Sequence, residues 1–296
     1  MLPEKSWYRY LIVRFAKRAV LPVNNNSGKV SINESTKILT DAFKSGIKTL
    51  DTAEIYGDAH KIIGDFHRRN NNMRFKIITK LPKDFKIKSI EDKVYSYIEV
   101  LAVNHIDVLM FHSFESYKSN KDSLDLLVKL KSMGLINHIG VSLYNNEDIE
   151  YILNDNIISI VQLPFNLLDN MSLRGELINK LKQKGKIVHT RSAFLQGLFF
   201  KNLDDSSTIV QNLSLELKTL NKIRQKLNCS IEELALGYCL QQKNIDNVII
   251  GVDTSSQLNS NFKASKYTFD KSLINLIDNI NVKNINIKIF FIIFPR

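Results

Sequence analysis

Residues 46–64 read GIKTLDTAEIYGDAHKIIG. Asp51 closes an apolar run, Tyr56 follows five residues later, and Gly57 stands directly after it. Either this is a turn that carries polar residues, or it is the end of a strand that delivers an acid and a phenol into one pocket. The choice depends on whether other strand ends converge on the same place.

Short segments rich in Ile and Val recur along the chain, each followed by a longer stretch with helical spacing. This is the pattern of parallel strands joined by crossover helices. The strand candidates are YLIVRF (10–15), IKTLDTA (47–53), FKIITKL (75–81), IDVLMFH (106–112), HIGVSLY (138–144), SIVQLPF (159–165), KIVHTRS (186–192) and NVIIGV (247–252). Helices are predicted between them. In 31–46, Ile38, Leu39, Ala42 and Phe43 share a face and Gly46 is a stop. In 89–103, Ser89 and Asp92 have capping-box spacing, and in 121–134 Gly134 is the stop. Eight strand-helix units predict a (β/α)8 barrel, an α/β fold, as a single domain over residues 1–296. The rival doubly wound sheet requires a Gly-rich turn after its first strand, and the chain has AKRAVLPVNNNSG (16–28) there.

Composition narrows the function classes. The chain has 296 residues, 44% hydrophobic and 24% charged, which is globular material. No apolar run has the roughly 18 residues of a membrane span; IKIFFIIFPR (287–296) comes nearest. Arg14, Lys17 and Arg18 interrupt what would be a signal-peptide core. Cys229 and Cys239 lack the spacing of a zinc site or a disulfide framework, so no metal and a reducing, cytoplasmic setting are expected. The formal charge of +11 comes from lysines scattered along the chain, among them Lys37, Lys61, Lys83 and Lys93, without a dense patch interleaved with aromatics. Neither nucleic acid nor a membrane is therefore expected as a partner.

At the carboxyl ends of barrel strands side chains face the active-site mouth. Asp51, Lys80 (IITKLP) and His112 (LMFHSF) end the second, third and fourth strands, with Tyr56 just past the second. Taken singly, Asp51 reads as a helix cap, His112 as a core histidine and Lys80 as a snorkelling surface amine. Together they form a proton donor for reduction of a carbonyl. Lys80 favours ionisation of the Tyr56 phenol, Asp51 holds the ammonium, and His112 donates to the carbonyl oxygen. No side chain supplies hydride, so a nicotinamide cofactor is implied.

These residues and their order resemble the aldo-keto reductases, whose signature matches GIKTLDTAEIYG (46–57) and whose catalytic tetrad corresponds to Asp51, Tyr56, Lys80 and His112. The resemblance covers about residues 27–280. It implies that Ser142 in INHIGVSLYN and Gln162 in VQLPFN contact the nicotinamide carboxamide. RSAFLQGLFF (191–200) is similar to the loop that wraps the cofactor pyrophosphate, implying Arg191, Ser192, Leu195 and Gly197. VIIGVDTSSQLNSNF (248–262) is similar to the segment near the adenosine phosphate, implying Gly251, Asp253, Gln257 and Asn261.

The implied activity is NAD(P)H-dependent reduction of an aldehyde or ketone, a sugar-derived one among the candidates, with Tyr56 as general acid. The small-molecule carbonyl is the expected partner and NADPH the expected cofactor, with NADH the alternative. The alternative function is a catalytically impaired barrel acting as a binding or regulatory protein. It is motivated by departures from the family pattern in the atypical segments 1–26 and 283–296. The GTxxFG-type loop after the first strand is absent, and Phe15, Lys17 and Arg18 are expected where the backbone approaches the cofactor. Divergence and a frame error in the coding sequence would both produce such a break. Leu143 stands where many relatives have Asn. The Lys and Arg that bind a 2′-phosphate are replaced around Gly251, Val252 and Gln257, leaving Lys263 or Lys266 to compensate. Substrate identity and oligomeric state are not legible at this level.

Overall fold

In the computed structural model, residues 11–15 and 30–282 are described. The tail 283–296, Trp7 and the stretch that replaces the family's glycine loop lie outside them.

All eight predicted strands form: β1 Leu11–Arg14, β2 Thr49–Asp51, β3 Lys76–Lys80, β4 Ile106–Phe111, β5 Ile136–Ser142, β6 Ile160–Pro164, β7 Ile187–Arg191 and β8 Asn247–Gly251. They are parallel in sequential order, and β1 pairs with β8 (Ile12 opposite Ile249) to close the barrel. Helices α1 (Ile32–Lys44), α2 (Ala59–Arg69), α3 (Ile90–Leu101), α4 (Phe114–Ser119), α5 (Leu124–Ser132), α6 (Asn146–Ile152), α7 (Met171–Gln183), α8 (Thr208–Asn212), α9 (Ser214–Leu227), α10 (Ile231–Leu240), α11 (Ser255–Ala264) and α12 (Lys271–Asp278) complete it.

Two cores follow from the period-2 alternation of strand side chains. Ile12, Ile78, Val108, Met110, Ile160 and Ile249 fill the barrel interior. Their outward neighbours, such as Leu11, Val13, Ile77, Leu109, Val161 and Val248, join the large layer against the helices. The inner set determines what reaches the mouth. Two residues beyond Ile12, Ile78, Met110 and Ile160 stand Arg14, Lys80, His112 and Gln162. By the same parity Ile187, which packs on the inner core, leads through His189 to Arg191. The alternation also corrects the expectation for Phe15. It lies in the outer layer, donates its backbone N–H to the Asp51 carbonyl at 2.8 Å, and does not enter the mouth.

Ser31 caps α1, accepting from Glu34 N at 3.2 Å. The capping box expected at Ser89 does not form. Ser89 closes a 3₁₀ turn (Ile87–Ser89) and donates its hydroxyl to the Lys86 carbonyl at 2.7 Å, so α3 is entered through that turn. The capping box that does form joins Ser230 and Glu233 at the start of α10.

Gly64, the last residue of the opening stretch, lies where α2 meets α3. A Cβ there would stand 1.8 Å from the Val100 carbonyl oxygen, which is backbone and cannot swing away. Gly64→Ala should therefore force the two helices apart at a cost of roughly 1–3 kcal/mol. Thermal unfolding is expected to show a midpoint lowered by several degrees, and an unchanged midpoint would contradict this packing.

Candidate active site

Asp51 is fully buried and lies at the hub of a charged network. Lys80 Nζ donates to its Oδ1 at 2.7 Å, and Arg14 Nε donates to its Oδ2 at 2.6 Å. Gln162 Nε2 donates to Oδ1 at 2.9 Å. The adjacent strand pairs explain the convergence, because Asp51 is in register with Arg14 on β1 and Ile78 on β3. Burial alone would raise the Asp51 pKa, but the attraction of Arg14 and Lys80 and the hydrogen bonds overcome it and hold the carboxyl well below the usual range. Burial likewise opposes the charge on Arg14, and Asp51 restores and strengthens it.

Lys80 is buried and spends two of its three N–H donors, one on Asp51 and one on the Thr52 carbonyl at 3.0 Å. Its ammonium lies 5.6 Å from the centre of the Tyr56 ring. Tyr56 is half-buried, and its ring meets that of His112 edge to face, 6.1 Å between centroids. The four residues expected at the strand ends are thus brought together.

His112 differs from a structural histidine in the same fold. His67 uses both ring nitrogens, Nδ1 on the Leu101 carbonyl at 2.8 Å and Nε2 accepting from Phe75 N at 3.1 Å. His112 Nδ1 is buried and has no partner among the described residues. Burial, and then repulsion from Lys80 and Arg14, push the His112 pKa down to about 4, so the imidazole is neutral at physiological pH.

The residues expected to hold a cofactor sit on the same rim. Ser142 and Gln162 are register partners at the ends of β5 and β6. Beyond β7 the chain takes positive φ at Ser192, Leu195, Gln196 and Gly197, a contorted backbone for three non-glycine residues. Gly251 ends β8, Thr254 caps α11 by accepting from Gln257 N at 3.1 Å, and Asn261 is buried on that helix. Asp253 N–H donates to Gln257 Oε1 at 2.8 Å. These positions lie together along the β7 and β8 edge of the barrel. Gln162 differs, because Arg14 Nη2 donates to its Oε1 at 2.8 Å while its Nε2 serves Asp51. Both ends of the amide are used within the barrel. Leu143 is buried, and its carbonyl accepts from Arg191 Nη2 at 3.3 Å.

Arg14 is the site residue that the sequence reading passed over. The signal was present in YLIVRF, where Ile12 inward requires Arg14 inward. Both cysteines are free and buried. Among the described residues no cluster suits a metal, and no helix is long and apolar enough to cross a membrane.

With this geometry in hand, comparison with known proteins identifies the class. The sequence matches the aldo/keto reductase family over residues 22–282, and the chain belongs to that family of oxidoreductase enzymes. It is similar to the uncharacterized oxidoreductase YqkF of Bacillus subtilis, at 28% identity over 79% of this chain and 82% of the relative. It is also similar to L-galactose dehydrogenase of Arabidopsis thaliana, at 25% identity over 82% and 81% respectively. The fold is shared with an aldo-keto reductase of Bacillus halodurans in its holo form, with a TM-score of 0.76 at 18% identity covering 92% of each chain.

Burial lowers the pKa of His60 and His189, as of His112, to about 4 from an ordinary 6.5. Between these values the unfolded chain binds protons that the folded chain refuses, so stability falls as pH drops from about 6.5 toward 4. The unfolding midpoint should decrease across that window, and the His112 ring signals in NMR should titrate near pH 4. A His112 midpoint close to 6.5 would contradict the enclosed site.

Proposed function

We propose that the chain reduces an aldehyde or ketone to the alcohol at the Asp51, Tyr56, Lys80 and His112 cluster. The observation that carries this reading is the buried Lys80, fixed by Asp51 beneath the Tyr56 ring and next to a neutral His112. When bound, a nicotinamide dinucleotide supplies the hydride. The carbonyl oxygen, gaining negative charge, sits between His112 and the Tyr56 hydroxyl. A neutral imidazole donates a hydrogen bond to it without giving up a proton. Tyr56 delivers the proton, and the Lys80 ammonium stabilises the phenolate left behind. Asp51 holds Lys80 in place and balances its charge.

Ser142, Ser192, Leu195, Gly197, Gly251, Asp253, Gln257 and Asn261 are the positions we assign to the cofactor. Of the two nicotinamides we infer NADH, in place of the NADPH expected from the resemblance. At the start of α11, Ser255 N–H donates to Glu34 Oε1 at 2.6 Å, and the Ser255 hydroxyl donates to Asp41. Two carboxylates beside the segment matched to the adenosine phosphate oppose a 2′-phosphate. Lys263 lies in the last turn of α11, about 12 Å of helix rise from Ser255, too far to compensate.

A second reading, a barrel that binds partners without turnover, is favoured by one observation: Arg14 and Asp51 engage both ends of the Gln162 amide.

Tyr56→Phe should lower kcat by about 10²–10⁴-fold, the range for loss of a positioned general acid, while cofactor affinity stays within twofold. Full turnover in that variant overturns the assignment. Wild-type chain with no saturable binding of either nucleotide favours the second reading. In a fluorescence titration NADH should bind at least tenfold more tightly than NADPH, and Glu34→Gln should narrow the gap. An unchanged ratio would remove Glu34 from cofactor selection.

A further inference from the structure

Arg191 ends β7 facing the barrel mouth and is only 7% exposed. Its guanidinium lies 4.1 Å from the centre of the Tyr144 ring. Its polar contacts are weak ones: Nη2 donates to the Leu143 carbonyl at 3.3 Å and Nη1 to Ser192 Oγ at 3.4 Å. No carboxylate is within ion-pair distance of it among the described residues. Asp169 is the acid whose field reaches it, and Asp169 is already held by Arg174, which donates Nε to Oδ1 at 2.6 Å and Nη2 to Oδ2 at 3.0 Å.

The neighbouring charges make this arrangement costly. Arg14 and Lys80 share the single carboxylate of Asp51, and Arg14 repels Arg191. Among the described residues the interior of the mouth therefore holds the three cations Arg14, Lys80 and Arg191 against the one anion Asp51, and neutral His112 feels all three. Buried charges persist when paired, and a lone buried guanidinium is expensive. The guanidinium lies over the Tyr144 ring, and its planar fork suits an oxyanion in two-point contact.

We propose that Arg191, backed by Arg14, is a binding site for an anionic group, a carboxylate or phosphate, carried by the carbonyl substrate. The substrate class is then a keto or aldehyde compound whose oxyanion sits a few ångströms from the reacting carbonyl. This rests on the carbonyl-reduction reading for the identity of the neighbouring group. The charge arrangement itself does not depend on turnover. The same oxyanion chemistry is offered by the phosphates of a dinucleotide, which is the competing source.

Calorimetric binding separates the two without relying on activity. Phenylglyoxylate is compared with acetophenone, in which a methyl replaces the carboxylate, and 4-carboxybenzaldehyde with 4-methylbenzaldehyde, each on the cofactor-free chain and on the chain with saturating NAD⁺. In at least one pair and one state the acid should bind at least tenfold more tightly than its neutral partner. Arg191→Leu should bring that ratio close to one, and Arg191→Lys should keep part of it. Ratios near one for both pairs in both states of the wild-type chain overturn the proposal, and this comparison needs no variant to fold. Arg191→Leu that weakens NADH or NADPH binding at least tenfold while keeping the acid preference also overturns it, and assigns the guanidinium to the cofactor. If the chain binds neither nucleotide, the carbonyl-reduction reading fails while the acid preference of the cofactor-free chain still decides the anion site.

Discussion

The carboxylate of Asp51 accepts hydrogen bonds from Lys80, Arg14 and Gln162 in the closed interior of the barrel, and the chemistry of the mouth depends on it. Without that negative charge, two buried cations from the strands on either side of β2 would face each other with no counter-ion, a situation that costs several kcal/mol. With it, Lys80 is fixed in one rotamer under Tyr56. The same carboxylate ties β1 to β2 and β3, so the geometry of the candidate site and the link between three strands share one interaction.

Strand parity explains why the site is a ring. Closing the sheet by pairing β1 with β8 brings every strand end to one opening, and alternation then selects which residues look inward. Apolar residues such as Ile12, Ile78, Met110 and Ile160 occupy the layer below. Polar and charged ones occupy the layer above, where neighbours or a ligand can pair with them. Among the described residues His112 and Arg191 are incompletely paired, which is what distinguishes them from the satisfied His67 and Arg174. An incompletely paired group in a buried mouth is free to take a partner from a ligand.

Much of this was legible in the linear chain. Eight apolar runs predicted eight strands, and Asp51, Lys80 and His112 were placed at their ends because β periodicity and turn residues are local signals. Ser89 misled because a Ser with an acid three residues on is compatible with a 3₁₀ entry as well as a capped helix. Arg14 is legible only by strand parity, since a charged residue early in the chain reads equally as a break in an apolar run.

Local order along the chain, then, determined the strands, their succession and the presence of an acid, a phenol, an amine and an imidazole at successive strand ends. What only the tertiary structure decided are contacts between residues far apart in sequence. Arg14 meets Gln162 across 148 residues and Ser255 meets Glu34 across 221. No local periodicity encodes such a pairing. It arises when barrel closure brings distant segments together and removes water, so that each buried charge must find its counterpart in another part of the chain or in a ligand.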